Sequence, residues 1–285
     1  MKAAGLSVRA RARVKGQAIW FAGLRGFSLG PLQPLAAWIS PLALLWLWYW
    51  ATLQQWVPEQ ILPSPALVWA SFIELIDTGE LQDNLGISLF RLFTGFGIGA
   101  LSGLVIGVLL AISAQARAYL GLTFELLRHI PTLVMVPMLI LLLGIGEAFK
   151  IVILVKAVFF PVAQAATDAV RNIPRTFIDV GRVYRLRPLA LYRYILLPAT
   201  VPPVLTGMRI ALGRAWLILV AVELLAADAG IGQMMEFARQ MLRLDIVLVG
   251  VVLTGLIGFS LDKTLRLLER RLMRWQPPPG KKDGA

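Results

Sequence analysis

Residues 171–198 read RNIPRTFIDVGRVYRLRPLALYRYILLP, and this stretch decides the fold. It holds six arginines against a single acid, Asp179, and it lies between long apolar runs. A polar island in an otherwise lipid-compatible chain has to face water on one side of a bilayer, because charge left in hydrocarbon is costly. Inside the island, Leu186-Arg187-Pro188-Leu189 reads as the start of a helix, since proline is tolerated in a first helical turn. The spacing predicts a short helix-turn-helix presented to a partner in the cytoplasm.

Outward from this island the chain is apolar. Of its 285 residues 58% are hydrophobic, and the mean hydropathy is +0.74. Several runs approach the roughly 20 residues needed to cross hydrocarbon. Six spans are predicted: Leu35–Leu53, Leu92–Ala114, Ile130–Gly146, Ile151–Val170, Thr206–Ala226 and Leu244–Leu261. The net charge of +12 could suggest a nucleic-acid partner. The basic residues, however, sit in the gaps between apolar runs, which is the topology signal of a membrane protein. No nucleic-acid partner is expected. There is no cysteine and a single histidine, His129, which removes thiol chemistry, disulfides and most metal sites.

Charge asymmetry orients the spans. The segment Gln54–Ser88 carries Glu59, Glu74, Asp77, Glu80 and Asp83 but no Lys or Arg. The leader holds Lys2, Arg9, Arg11, Arg13, Lys15 and Arg25 with no acid, and the tail from Lys263 holds seven basic residues against Glu269 and Asp283. Under the positive-inside rule both termini and the 171–198 loop are cytoplasmic, while Gln54–Ser88 and Asp228–Arg243 lie outside. The leader is not read as a secretory signal, because no small-residue cleavage site follows the run that begins near Leu35. The organisation expected is a basic extension over 1–34, the first span with its outer loop over 35–84, a core over 85–262 containing the loop, and a basic tail over 263–285.

Local patterns add detail. Trp46, Trp48, Tyr49, Trp50 and Trp56 form an interfacial belt at the outer end of the first span. Gly95, Gly99, Gly103 and Gly107 clear one face of the second span for close helix packing. Pro131 and Pro137 should bend the third span and free carbonyls that a neighbour or a cavity must satisfy. In the fifth span Arg209, Gly213, Trp216, Val220 and Glu223 share one helix face. Arg209 is read as snorkelling at the cytoplasmic end, Trp216 as packing before gate, and Glu223 as either pathway-lining or interhelical. Lys156 in the fourth span either snorkels toward Glu147, the preferred reading, or lends positive potential to an anion route. The outer segment with Met234, Met235, Phe237, Met241 and Leu242 reads as an amphipathic helix. No phosphate-cradling glycine loop, His-Glu zinc pair or serine elbow is present, so neither catalytic nor metal-binding residues are expected.

The loop resembles that of bacterial ABC importer permeases. Asp179-Val180-Gly181-Arg182, then Arg185, then Ile195-x-Leu197-Pro198 is similar to the family's Glu-Ala-Ala…Gly…Ile-x-Leu-Pro pattern. Asp179 stands for the Glu and Arg185 for the Gly, a departure that bears on loop geometry and on the choice of ATPase. Other stretches resemble the nitrate/sulfonate/taurine branch, with its aliphatic-sulfonate members nearest: Leu62-Pro63-Ser64-Pro65, Ser88-Leu89-Phe90-Arg91, Gly144-Ile145-Gly146-Glu147 with Lys150, Val222-Glu223, Gly230-Ile231-Gly232 and Arg274-Trp275-x-Pro277. The resemblance implies an all-α, polytopic fold of the type I importer (MetI-like) kind, six transmembrane helices with a cytoplasmic coupling helix.

It also implies a permease of the inner membrane that pairs with a second permease subunit, most simply an identical one. The other partners would be a dimer of ATPase subunits that bind the ATP, so that the chain has no cofactor of its own, and an extracytoplasmic binding protein. Leu186, Leu189 and Tyr192 would form the apolar ridge that enters an ATPase groove. Arg182, Arg185, Arg187 and Arg193 would supply charge at its rim, with Asp179 in the place of the family's Glu, Pro188 at the helix start, and Ile195, Leu197 and Pro198 at the return to the membrane. Lys156, Arg209, Trp216 and Glu223 are the pathway candidates, and a sulfonate, taurine or nitrate is the implied cargo. The rival readings are a self-sufficient secondary transporter or channel, which paired broken helices and a charged relay would favour, and a membrane enzyme, which would need clustered His, Cys or carboxylates.

Overall fold

The structure, a computed structural model, describes residues 38–273, and among these all regular structure is helical. The expected basic extension, the first three residues of the first predicted span and the Arg274-Trp275-x-Pro277 stretch lie outside the described residues. Contacts divide the chain into a unit ending at Pro65 and one beginning at Ala66. In the first unit, helix α1 (Ile39–Leu53) is apolar along its length. Trp46 stacks on Trp50 at 5.5 Å between ring centroids, and the Trp48 indole donates to the Pro63 carbonyl at 3.1 Å.

The second unit begins within α2 (Pro65–Asp77), at Ala66, and continues with the long α3 (Glu80–Ile112). Then come α4 (Ala114–His129), a 3-10 turn (Thr132–Met135), α5 (Val136–Leu143) and α6 (Glu147–Arg171). Helices α7 (Arg175–Val183) and α8 (Pro188–Leu191) form the loop. A π-helical turn (Tyr192–Leu196) leads into α9 (Leu197–Ala226), followed by α10 (Ile231–Gln240) and α11 (Leu244–Leu272). Helices α3, α6 and α11 are each long and apolar enough to cross a bilayer, and two bent pairs, α4 with α5 and α8–α9 with α10, qualify as broken spans or re-entrant loops.

The glycine stripe explains the central pairing. A Cβ on Gly99 would lie 2.8 Å from the Val155 carbonyl oxygen, and one on Gly103 would lie 2.6 Å from that of Phe159. The missing side chains therefore let α3 and α6 meet backbone to backbone, and Thr167 closes the contact by donating to the Gly107 carbonyl at 2.9 Å. Because the matched residues rise together in both helices, α3 and α6 run parallel. Residues 113–146 must then carry the chain back along the bundle. Helix α9 runs antiparallel to α6, and α11 antiparallel to α9, around a core of Leu154, Val158, Val162, Leu212, Ala215, Trp216 and Leu219. One end of this unit carries the α7–α8 loop; the other carries the starts of α3, α6 and α11. Replacing Gly103 with Ala is expected to cost about 1–3 kcal/mol through overpacking. Gly97→Ala, where nothing lies within 4 Å, should be neutral. Thermal unfolding in detergent distinguishes the two.

The helices differ from the predicted spans at their ends. Helix α3 starts twelve residues before Leu92 because Glu80 and Asp83 suit a helix N-terminus and extend it with polar turns. The expected boundary at 84/85 therefore falls inside α3, and that at 262/263 inside α11, which runs on to Leu272. The third predicted span is not one helix. Pro131 ends α4 and the chain bends by 89° before α5. Proline has no N–H to continue the ladder and restricts the residue before it. The fifth begins at Leu197, with Pro198 in its first turn, so Ile-x-Leu-Pro opens α9 rather than closing the loop.

Candidate functional site

The bend after α4 opens a cavity of about 600 Å³ between the end of α4, the middle of α6 and the middle of α9. Its wall includes Arg128, His129, Lys156, Gln164, Asp168 and Arg214, with Phe160, Ile210 and Ile218 as apolar surface. Irregular backbone at membrane depth is tolerated only where protein or a water-filled cavity satisfies it. Here Lys156 does so, donating to the freed Ile130 carbonyl at 2.7 Å, with the Thr132 hydroxyl at 3.4 Å. Its ammonium also lies 5.6 Å from the Phe160 ring. Arg128 donates to the Gln164 amide oxygen at 2.9 Å, and that amide in turn donates to Asp168 at 3.0 Å. A smaller hollow of about 270 Å³ between Asp168, Pro174, Phe177 and Pro203 continues toward the α7 side of the loop.

At the end opposite the loop, four of the sequence stretches quoted above converge on one buried ion network. Arg91, 2% exposed, ion-pairs with Glu147 and, at 2.8 Å, with Glu223, and also donates to the Ala229 carbonyl. Glu223 accepts further from the Ser88 hydroxyl at 2.8 Å and the Gly232 amide at 3.1 Å. The Ile231 amide donates to Ser88 at 2.9 Å and the Gly230 amide to Asn84 at 2.7 Å. The first amides of α10, which have no helical partner, are thus capped by side chains of α3 and α9. Gly230, at φ +115°, and Gly232 are required because a Cβ on either would overlap Glu223. Lys150 completes the cluster with Glu147 at 3.1 Å. Beside it, Arg243 grips Glu74 through two bonds of 2.8 Å and holds that carboxyl below the usual carboxylate range. Asp245 accepts from Ser71 at 2.6 Å, which ties α2 to α11.

Toward the loop, Arg209 pairs with Asp262 and Glu269, both at 3.1 Å. The loop itself is held by a Schellman turn: the Leu186 amide donates to the Gly181 carbonyl and the Arg185 amide to that of Arg182, both at 3.0 Å. The residue this turn needs in the left-handed region is Arg185, at φ +48°. Leu191 covers Gly181, which leaves Leu186, Leu189 and Tyr192 facing outward, with Leu189 78% exposed. The Arg182–Asp179 pair at 3.4 Å is solvated and contributes little. Since a side chain in the left-handed region costs on the order of 1 kcal/mol, Arg185→Gly should tighten the turn by up to that amount. Hydrogen exchange at the Leu186 amide should slow by up to roughly fivefold; faster exchange would contradict this account of the turn.

Of the four pathway candidates, Lys156 lines the cavity and the other three are not among its walls. Lys156 does not turn toward Glu147, as the preferred reading had it, because Arg91 and Lys150 already occupy that carboxylate and the Ile130 carbonyl is free. Glu223 closes an interhelical contact. Trp216, 1% exposed, packs and donates to the Thr254 carbonyl at 2.9 Å. Arg209 is ion-paired rather than snorkelling. His129 is exposed, with Nδ1 2.7 Å from the Glu125 carbonyl. Sequence reasoning missed Arg128, Gln164, Asp168 and Arg214. The spacing of Lys156, Phe160 and Gln164, and of Gly207, Ile210, Arg214 and Ile218, marks single helix faces that could have revealed them.

The family described as "Binding-protein-dependent transport system inner membrane component" matches residues 103–274. A relative of 35% identity over 246 residues, covering 86% of this chain and 94% of its own, is the "Putative aliphatic sulfonates transport permease protein SsuC" of Escherichia coli (strain K12). The taurine transport system permease protein TauC of the same organism is 32% identical over 237 residues, 81% of this chain and 86% of its own. Among solved structures, the crystal structure of an amino acid ABC transporter with histidines aligns with a TM-score of 0.55 at 16% identity, over 71% of this chain and 96% of that one. That likeness is one of fold.

Proposed function

The chain belongs to the binding-protein-dependent transport system inner membrane component family, and from that premise we propose that its cargo is a small organic sulfonate. It is the permease subunit of an ATP-binding-cassette importer, an all-helical, multi-pass protein of the cytoplasmic membrane. ATP is hydrolysed by separate subunits, and solute is delivered by an extracytoplasmic binding protein. The permease works as a pair of identical chains with six spans each, both termini and the α7–α8 loop facing the cytoplasm. The observation that carries this reading is the loop. It exposes Leu186, Leu189 and Tyr192 on the side of the bundle where Arg171, Arg175, Arg266 and Arg270 also gather. A helix with an apolar ridge and a charged rim fits a groove on a partner. The pathway passes the cavity beside Lys156, while Arg209, Trp216 and Glu223 hold the surrounding helices in register.

The test is reconstitution of the chain in vesicles with a cognate ATPase and binding protein, and measurement of labelled alkanesulfonate uptake. Uptake is expected only when all three components and ATP are present. Accumulation against a gradient by this chain alone would establish a self-powered transporter instead.

A further inference from the structure

Among the described residues, the buried cations Arg91 and Lys150 and the half-buried Arg209 are matched by carboxylates. Arg91 has Glu147 and Glu223, Lys150 has Glu147, and Arg209 has Asp262 and Glu269. The cavity breaks that pattern. Lys156 sits in the middle of an apolar span and is bound by a neutral carbonyl and a hydroxyl, with no carboxylate partner among the described residues. Arg214, exposed at the cavity wall, has no ion pair or hydrogen bond among them either. Arg128 is paired with Glu125, which is not part of the wall, and the only carboxylate lining the cavity is Asp168. Three cations less Asp168 and Arg128's own partner Glu125 leave a surplus of one positive charge at the cavity. A cation at membrane depth costs roughly 2.5–3.5 kcal/mol even on the lenient insertion scale, and a structural ion pair does not account for this one.

Resting on the permease reading above, we propose that the cavity is itself a binding site for a monovalent organic oxyanion. Lys156 and Arg214, with Arg128 beside them, hold the charged head, and Ile210, Ile218 and Phe160 receive a short alkyl tail. The chemistry fits each part. The Lys156 ammonium has three donor hydrogens, so its bonds to Ile130 and Thr132 leave one for a ligand. The Arg214 guanidinium presents a planar fork suited to two oxygens of one head group. Ile210 and Ile218 flank Arg214 one turn away on either side along the same face of α9, so a molecule anchored by its head lays its tail on apolar wall. A single surplus positive charge matches a monovalent head, which disfavours sulfate and other dianions. The permease would then test charge and shape after the binding protein has released its cargo, and selectivity is shared between the two proteins.

An anionic lipid head group offers the same oxyanion chemistry, so the experiment has two lipid arms. The permease–ATPase complex is placed in nanodiscs of phosphatidylcholine alone, and in others containing phosphatidylglycerol, without binding protein. Butanesulfonate binding is then measured calorimetrically. Saturable binding is expected in both arms, with no binding of sulfate at equal concentration. Lys156→Gln/Arg214→Gln should weaken it at least tenfold while the complex still elutes intact, and Lys156→Arg should retain it. Unchanged affinity in the double variant overturns the proposal. So does a site occupied only by phosphatidylglycerol, seen as butanesulfonate binding that phosphatidylglycerol abolishes and that the variants do not alter in phosphatidylcholine. Stimulation of the unaltered complex's ATPase by loaded binding protein is measured separately. Its absence sinks the permease reading itself, whereas its presence beside a failed binding result sinks only the anion site.

Discussion

Arg91→Ala is expected to abolish recovery of folded protein, with a loss of about 3–5 kcal/mol, the usual consequence of removing one partner from a buried ion pair. The reason is Glu223, whose side chain is fully buried and whose remaining donors, Ser88 and Gly232, are neutral. Left without the guanidinium, the carboxylate is an uncompensated charge where four elements meet, and α10 loses its anchor. The pair variant Arg91→Met/Glu223→Gln removes both charges. Its amide can still accept from the Gly232 amide and donate to Ser88. It should therefore be more stable than Arg91→Met alone, as buried pairs replaced together often are. Thermal unfolding of the detergent-solubilised protein reads both. Equal stability of the single and pair variants would show that the network is peripheral to the fold.

The second large effect concerns assembly rather than folding. Leu186→Asp/Leu189→Asp should eliminate co-purification of the ATPase while melting temperature stays within a degree or two. Both side chains are on the surface, and exposed substitutions away from special features usually fall within about 0.5 kcal/mol. At a hot spot each truncation costs about 2 kcal/mol or more, so the pair predicts roughly a thousandfold weaker association. Leu242→Asp is the matched control: it is 83% exposed, next to α10 at the other end of the bundle, and should leave the complex intact. Retention of the ATPase by the loop variant would mean that the motor docks elsewhere.

Hydropathy located the apolar runs because lipid selects side chains directly, and charge bias ordered the connections between them. It did not reveal helix length, since α3 and α11 continue as polar turns that no transfer scale rewards. The cargo branch and the loop were legible through short motifs such as Ile195-x-Leu197-Pro198. The strain at Arg185 was legible too, because a single residue type marks the left-handed turn. The Arg91 network was not. Its carboxylates lie 56 and 132 residues away, and Arg91 stood one position outside the predicted span as an ordinary flanking charge. The cavity was hidden for the same reason. It exists only because the bend after His129 brings three helices together, and Lys156 took its role from a carbonyl that the bend exposed.

The glycine face of α3 has a consequence for motion. Two helices in backbone contact over about two turns, from Gly99 to Gly107, cannot slide or roll against each other without carbonyls colliding. They therefore form a single stiff strut. Any change in which side of the bilayer the cavity opens to must then be absorbed by the elements that lack such a weld. These are the kinked return through Pro131 and the proline-rich base of α9 that follows the loop.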